Sequence, residues 1–494
     1  MRPATRPSPF VPAVAVGLLA LTACSPDPGP TPSGGTPPGG KPLDGTGETP
    51  AAQRPNVAIW LVDTLRADRT SAYGHERDTT PVLSELAANG VRFDEFHVNA
   101  NWTAPSILAL LTGMYPVAFG AGERLRAPRQ MTMAAEWFWE QGYHTAAFTQ
   151  STMTARTSGH PDGYDDFEDA IGYHPRSHPD AHNLASEHLV NAVEDWLVER
   201  DDEGRPFFLY MHTLDPHIPL GEHEGFPSFV DPSYDGPWSG DVPTLRTARE
   251  EDWVPDDDDV QHLLDLYDTE VRYADAQLGR LVEALRAAGE LDDTLLVIVS
   301  DHGEEFFERG ARGHAHNNLF RELSHVPLVL HWPAGLEAGT VVDATVRGID
   351  LMPTLLELAG VEALPEVDGR SVAGAVLGRG ELEPVPVRMA RYTTGPNAYA
   401  GILTRDFLAV RRDSHPRASL RLFADASGLE EFERGSAERA AFTDPATELL
   451  DGWTALRAER EARFPAEEET LTDEVRARLE ELGYLNGAAG GDQE

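Results

Sequence analysis

The chain has 494 residues, of which 41% are hydrophobic and 25% charged, a composition typical of a globular protein long enough to bury a large core. It carries 82 acidic and 40 basic residues, for a formal net charge of −42. Because such a field repels polyanions, we expect no nucleic-acid partner and no attraction to anionic membrane surfaces.

The first 24 residues are typical of a secretory signal. Arg2 and Arg6 precede an apolar run from Val11 to Leu21 that is too short to span a bilayer. The run ends in Leu-Thr-Ala-Cys, which resembles the bacterial lipoprotein box and implies a lipid anchor on Cys24; an ordinary signal with an incidental cysteine is the alternative. We therefore expect an exported protein of the bacterial cell envelope. Cys24 is the only cysteine, so no disulfide is expected.

The rest of the chain divides by composition into four segments. Residues 25–54 are dense in Pro, Gly, Ser and Thr and predict a flexible tether. From Pro55 the composition changes, and we predict a main domain over 55–370, a C-terminal subdomain with a final helix over 371–486, and a tail over 487–494.

The main domain opens with a continuous apolar run, Val57 to Val62, which is typical of a strand buried on both faces of a parallel sheet. Asp63 then lies at the carboxyl end, where open α/β sheets bind ligands. The further predicted strands are 144–148, 206–211, 295–299 and 326–330, and the predicted helices are 81–90, 184–199, 260–288 and 351–360. Their alternation predicts a mainly parallel sheet covered by helices.

The C-terminal subdomain carries a weaker pattern. Short apolar runs predict a small antiparallel sheet at 401–403, 407–411 and 420–423. The last helix places Val475, Leu479 and Leu482 on one face, which indicates a packing element.

A second segment whose residues could take part in catalysis is residues 101–113, NWTAPSILALLTG. Thr103 and Pro105 are helix-start residues before an apolar helix from about Ser106 to Leu111. Thr103 is therefore either a helix cap or a nucleophile, since the amides and dipole at a helix start attract an oxyanion.

A third segment follows the predicted strand at 295–299. Asp301 and His302 come directly after it, as Asp63 follows the first strand. Two strand-end carboxylates and an imidazole can converge on one divalent cation, although Asp-His-Gly can also be a simple turn.

These segments together resemble the sulfatase family of the alkaline phosphatase superfamily. The matching stretches occur in the family's order at 56–66, 101–113, 300–304, 350–356 and 471–485. The resemblance implies an alkaline-phosphatase-like α/β fold, with catalysis in the 55–370 domain and a small antiparallel subdomain after it. It also implies that Asp63, Asp301 and His302 bind one divalent metal ion together with the nucleophile Thr103. Calcium is the family's usual ion, and magnesium, manganese and zinc are chemically possible.

The chain departs from the family at its nucleophile. Sulfatases carry Cys or Ser where this chain has Thr103, and oxidise it to the aldehyde formylglycine. Oxidation of threonine would give a ketone, because its β-carbon already bears a methyl group. We therefore expect no formylglycine, and Thr103 must act as an ordinary alcohol or have no part in the chemistry.

Other departures remove positive and negative charge from the expected site. Ile107 replaces the arginine of the family's motif, and Thr64 replaces the second of its two adjacent aspartates. Residues 149–152 read Thr-Gln-Ser-Thr where Gly-Lys-Trp-His is common in the family. The only lysine is Lys41. Arg66 and Arg321 are candidate replacement cations, and the alternative for each is an ion pair on the protein surface.

Histidines offer further contacts to an ester. His217, in the segment HTLDPHIP, resembles the family histidine that contacts the ester, and fits a hydrogen-bond donor or general acid. His314 occupies the place of an active-site lysine, with His316 as a weaker candidate.

The expected function is hydrolysis of sulfate or phosphate esters on a small molecule or glycan. An ester on Thr103 cannot collapse by elimination as a formylglycine ester does, which favours phosphoryl chemistry, either phosphodiester hydrolysis or head-group transfer. Relatives that transfer head groups usually carry several membrane helices, so hydrolysis ranks first. A non-catalytic binder of sulfated or phosphorylated glycans is the remaining alternative. Oligomeric state is not predicted.

Overall fold

The structure is a computed structural model. It describes residues 54–119, 131–151, 154, 163–169, 185–200, 204–241, 244, 247–248, 253–310, 312–314, 319–364, 366–390, 399–412, 419–424 and 430–463. The signal segment with Cys24, almost all of the tether, His316, the final helix and the tail lie outside the described residues, and those expectations stay predictions.

The strands of the described residues are β1 (Asn56–Val62), β2 (Val91–Phe93), β3 (Phe96–His97), β4 (His144–Thr149), β5 (Asp166–Glu168), β6 (Phe207–Thr213), β7 (Thr294–Ser300), β8 (Glu305–Phe306), β9 (Arg312–Gly313), β10 (Leu328–His331), β11 (Thr340–Val342), β12 (Val346–Arg347), β13 (Val387–Ala390), β14 (Tyr399–Leu403), β15 (Leu408–Arg412) and β16 (Arg421–Phe423). Eight of them form the central sheet, in the order β11-β2-β10-β7-β1-β6-β4-β5. Strand β10 runs antiparallel to both of its neighbours, and the other pairings in this sheet are parallel. The predicted mainly parallel sheet is confirmed.

Helices cover both faces of this sheet. In the described residues they are α1 (Pro81–Ala88), α2 (Thr103–Thr112), α3 (Ala134–Glu140), α4 (Ala185–Glu199), α5 (Asp257–Ala288), α6 (Arg321–Ser324), α7 (Leu351–Leu358), α8 (Ala373–Val376) and α9 (Ala437–Arg463). Short 3-10 turns lie at 67–69, 71–73, 116–119, 291–293 and 348–350. None of the helices in these ranges is long and apolar enough to cross a membrane.

Strand β1 shows how the sequence produces this layered core. All seven of its residues are buried, as the continuous apolar run predicts. Alternate side chains enter opposite layers: Ile59 and Leu61 pack in the cluster with α2, whereas Trp60 and Val62 pack in the cluster with α5. The parallel strands therefore all end on the same side of the sheet, where helix starts and loops surround their carboxyl ends.

The C-terminal sheet has the antiparallel order β13-β14-β15-β16. Three of its strands were predicted from short apolar runs, and β13 was not. Its inner face has its own apolar cluster, in which Leu408 and Phe423 are almost fully buried. The small antiparallel subdomain is confirmed.

Candidate metal centre and active site

The two aspartates of the site stand side by side because of strand register. In the parallel pairing of β1 with β7, Val62 lies opposite Ser300. Asp63 and Asp301 are therefore the next residues on adjacent strands, at the same edge of the sheet. Both are almost fully buried, at 1% and 0% relative exposure.

His302 completes a compact ligand cluster with these carboxylates. One ligand atom of each of Asp63, Asp301 and His302 lies within 4.8 Å of the others. The Nε2 atom of His302 is 3.4 Å from Asp301 Oδ2 and 3.8 Å from Asp63 Oδ1. His302 Nδ1 donates to the carbonyl of Gly303 at 2.8 Å, so Nε2 is the ring nitrogen that faces the carboxylates.

Thr103 lies against the same imidazole. Its Oγ1 is 3.2 Å from His302 Nε2, and the residue is 1% exposed. Helix α2 begins at Thr103 rather than at about Ser106, and Trp102 is the extended residue that precedes it. Thr103 is thus inside the first turn rather than at the cap position. Its hydroxyl points to the ligand cluster from the positive end of a ten-residue helix.

The electrostatics of the cluster favour a cation. Burial would raise the pKa of Asp63, but a hydrogen bond from His212 and the nearby rings of His217 and His302 hold it below its ordinary value. Burial, and then the negative charge of Asp63, raise the pKa of Asp301 well above its ordinary value. Asp63 Oδ1 and Asp301 Oδ2 are buried without a hydrogen-bond partner among the described residues. Two buried carboxylates with bare oxygens and an imidazole lone pair fit a divalent metal ion.

Two further histidines lie beside this cluster. The ring of His314 is 4.4 Å from that of His302 and 5.1 Å from that of His217. His217 Nδ1 donates to the carbonyl of Ile218 at 2.8 Å, and His314 Nδ1 donates to Glu304 Oε2 at 2.8 Å. These two contacts fix the orientation of both rings beside the ligand cluster. Burial lowers the pKa of His217.

Two motif residues hold α2 and the Asp-His-Gly turn in place. Ser106 Oγ donates to the carbonyl of Asp301, which ties α2 to the residue that follows β7. At Gly303, a Cβ atom would stand 1.9 Å from the carbonyl oxygen of Glu322, so only glycine lets α6 approach the turn.

The two candidate arginines are engaged elsewhere. Arg66 is buried and binds Asp68 and Glu308 as well as the carbonyl of Glu304, so its pairing is internal rather than on the surface. Arg321 makes a two-pronged contact with Glu95 at 2.9 and 3.0 Å. Neither fills the role of a substrate clamp in the structure.

The residues that replace family lysine and arginine also have structural roles. Ile107 is fully buried in the core cluster of α2. Gln150 Oε1 accepts hydrogen bonds from Thr213 Oγ1 at 3.0 Å and Leu214 N at 3.1 Å, which anchors the loop that leads to His217. Both substitutions therefore stabilise the walls of the site.

Sequence reasoning missed three residues that hold the side chains of the site in place. His212 reaches Asp63, Tyr210 reaches His212, and Glu304 reaches His314. The signals were present, since His212 and Tyr210 alternate on a buried strand and Glu304 follows Asp-His-Gly, but their partners depend on register and loop path.

Comparison with known proteins identifies relatives over most of the described chain. A family model described as Sulfatase matches residues 55–361. A sulfatase from Formosa agariphila is 25% identical over 370 residues, covering 65% of this chain and 72% of its own. Among solved structures, a protein in complex with its substrate D-glucosamine-2-N,6-O-disulfate has a TM-score of 0.66 at 19% identity, covering 82% of this chain and 99% of its own. A phosphonate monoester hydrolase from Silicibacter pomeroyi has a TM-score of 0.64 at 22% identity, with coverages of 82% and 96%. The alkaline-phosphatase-like fold is confirmed.

Proposed function

Because the chain belongs to the sulfatase family and is therefore an ester hydrolase, we propose that it uses the hydroxyl of Thr103, and not a formylglycine, to attack the sulfur or phosphorus of its substrate. The observation that carries this proposal is the position of Thr103 Oγ1, 3.2 Å from His302 Nε2 and at the start of α2. No residue type at that position other than Cys or Ser can give the family's aldehyde, so the alcohol itself is the available nucleophile.

The residues that would hold a metal ion are Asp63, Asp301 and His302, with Thr103 beside them. A bound divalent cation would lower the pKa of a neighbouring hydroxyl and offset the negative charge of the ester oxygens. The mixed oxygen and nitrogen set admits calcium, which the family resemblance favours, as well as magnesium, manganese or zinc.

The protein's own groups orient the reaction. The first turn of α2 directs its positive end at the oxyanion that forms when Thr103 Oγ1 bonds to sulfur or phosphorus. As Thr103 Oγ1 bonds to sulfur or phosphorus, the bond from that atom to the leaving alcohol breaks, and the proton that Oγ1 loses passes through the ring of His217, held by the Ile218 carbonyl, to the alcohol oxygen. His314, held by Glu304, takes the place of the family lysine beside a non-bridging oxygen of the ester.

The second half of the reaction returns Thr103 to its alcohol. Water attacks the sulfur or phosphorus of the Thr103 ester, the bond to Oγ1 breaks, and Oγ1 regains a proton. Elimination is closed to this ester because the Thr103 β-carbon carries hydrogen and methyl rather than a second hydroxyl. This requirement for a second displacement favours phosphate monoesters or diesters over sulfate esters as substrates.

Two other functions remain candidates. Transfer of a phosphoryl head group differs only in that an alcohol replaces water in the second displacement, and a phosphonate monoester hydrolase shares the fold. A non-catalytic binder of sulfated or phosphorylated glycans would keep the anion pocket without turnover. The buried carboxylate oxygens without partners speak against a pocket that serves only to bind anions.

Location and substrate size are further parts of the proposal. A lipid anchor on Cys24 and a tether over 25–54 would hold the enzyme at a bacterial membrane with its site facing outward. The neighbour solved with a disulfated glucosamine makes a sulfated or phosphorylated sugar a reasonable substrate class.

The experiment is a turnover panel with the full chain. Nitrophenyl sulfate, phosphate, phosphodiester and phosphonate are each supplied with calcium, magnesium, manganese or zinc, and with a chelator. We expect turnover of at least one phosphorus ester that the chelator abolishes. Turnover of the sulfate alone would reverse the substrate preference, and turnover of none would establish the binder.

A further inference from the structure

A buried chain of three side chains leads from the middle of β6 to the metal cluster. In the parallel pairing of β6 with β1, His212 lies opposite Leu61. Alternate residues of a strand share a face, so Tyr210 and His212 lie on the same side of the sheet as Leu61 and Asp63. The imidazole thus comes beside the carboxylate that follows β1.

Two hydrogen bonds join the side chains of this buried chain. His212 Nε2 is 3.2 Å from Asp63 Oδ2, and Tyr210 Oη is 3.3 Å from His212 Nδ1. An ionised carboxylate can only accept, so Nε2 carries the proton and donates to Asp63. The Tyr210 hydroxyl contacts the ring at its other nitrogen, Nδ1. Relative exposures of 2%, 0% and 1% for Tyr210, His212 and Asp63 show that these contacts are shielded from bulk solvent.

This arrangement distinguishes the two oxygens of Asp63. Oδ2 is occupied by His212, whereas Oδ1 has no hydrogen-bond partner among the described residues and is the oxygen 3.8 Å from His302 Nε2. Rotation of the carboxylate would exchange the two oxygens, and the hydrogen bond from His212 opposes that rotation. The imidazole of His212 in turn cannot flip without breaking its hydrogen bond with the Tyr210 hydroxyl.

We propose that His212, held by Tyr210, is a positioning residue that presents Asp63 Oδ1 to the divalent cation and thereby sets the cation affinity of the site. The inference rests on the metal centre of the proposed function. His212 acts through Asp63 and touches neither substrate nor ester. Groups that orient a ligating carboxylate in this way typically change metal affinity by about 10- to 100-fold when they are removed.

The test measures calcium binding to the chelator-stripped full chain by titration calorimetry, with turnover recorded separately. His212→Leu removes the donor and should weaken calcium binding by about 10- to 100-fold. His212→Gln keeps an N–H that can reach Asp63 and should restore most of the affinity. Tyr210→Phe removes only the distal hydroxyl and should weaken binding by a few-fold.

Tyr143→Phe is the matched control. Tyr143 is also a buried tyrosine of the same core layer, and its hydroxyl contacts the carbonyl of Pro55 at 3.1 Å, away from the cluster. This variant should bind calcium as the unaltered chain does, which separates loss of a buried hydroxyl in general from loss of this one.

The outcomes separate the inference from the function on which it rests. If the unaltered chain binds calcium and both His212→Leu and Tyr210→Phe bind it within twofold, the positioning role is wrong while the metal centre stands. If the unaltered chain binds no divalent cation, both proposals fail. If His212→Leu does not fold, the comparison of calcium affinity between Tyr210→Phe and Tyr143→Phe tests the positioning role by itself.

Discussion

Thr64, the residue that follows Asp63, has a left-handed backbone with a φ of 58°. A β-branched residue rarely adopts this conformation, which costs roughly 1–3 kcal/mol. Its neighbours hold it there: Thr64 N donates to Asp301 Oδ1 at 3.3 Å, and the Tyr267 hydroxyl donates to the Thr64 carbonyl at 2.7 Å. The turn therefore stores strain next to a proposed metal ligand.

We expect Thr64→Gly to change the free energy of unfolding by less than about 0.5 kcal/mol. Relief of backbone strain offsets the greater chain entropy of glycine in the unfolded state and the lost burial of a methyl group. Thr145→Gly is the control, because Thr145 is also fully buried but lies in β4 with ordinary strand geometry. That variant should lose about 2 kcal/mol in denaturant titration. Equal losses in the two variants would show that Thr64 is unstrained.

At the scale of elements, the turn after β7 depends on the close approach of α6. A Cβ atom on residue 303 would stand 1.9 Å from the Glu322 carbonyl oxygen, which belongs to the backbone and cannot rotate away. Gly303→Ala should therefore lower the free energy of unfolding by about 2–3 kcal/mol and displace His302. Gly374→Ala, in helix α8 with open space around it, should be neutral or slightly stabilising. Thermal unfolding of both variants checks the difference.

The elements also show what a sequence can predict. The buried parallel strands and the long helices α4 and α5 were predicted within a few residues because continuous apolar runs and 3.6-residue periodicity are local properties. The 27-residue helix α9, which contains Pro445, was not predicted. Strands β2, β5, β11 and β13 were missed because each has only three or four residues and is specified by its partners. The sequence placed Asp63, Asp301 and His302 at strand ends, and the structure brings them together.

The contacts beyond these three residues were not predictable for a physical reason. His212 meets Asp63 only because β6 and β1 pair in one particular register, and a shift by one residue would turn the ring to the other face. Glu304 meets His314 through the return of β9 onto β8. Both depend on long-range pairing, which no local pattern reports.

At the scale of the whole molecule, the net charge of −42 makes the folded chain self-repelling at neutral pH. Acidification relieves part of this repulsion. It also favours protonation of a buried histidine pair, which lies where β3 meets the end of α6, and this destabilises the fold. The rings of His97 and His325 are 5.1 Å apart. Burial, followed by the neighbouring His97 and Arg321, lowers the pKa of His325 from 6.5 to about 3. The charged and titratable groups around it are His97, Arg321, Glu95, Asp68 and Tyr73.

This depressed pKa predicts an acid-sensitive stability. The unfolded chain binds a proton at His325 below about pH 6.5, whereas the folded chain resists it until about pH 3, so stability falls as the pH falls through this window. At pH 5 the loss is roughly 2 kcal/mol. His325→Gln keeps an N–H for the Asp94 carbonyl and should lose less stability between pH 7 and 5 than the unaltered chain. His188→Gln, on α4, is the control, and identical pH profiles for all three proteins would contradict the account.

The central claim is that Thr103 is the nucleophile in its unmodified form, and the most direct measurement is turnover by Thr103→Ala. Thr112→Ala is its matched control, because Thr112 is the buried threonine at the other end of α2 and its hydroxyl bonds only within the helix and its end. We predict that Thr103→Ala loses at least about 1,000-fold in kcat with its fold intact. Thr103→Ser should keep part of the activity, Thr112→Ala should keep most of it, and the intact mass of the active enzyme should correspond to unmodified threonine. Full turnover by Thr103→Ala would contradict the claim and leave water as the attacking group.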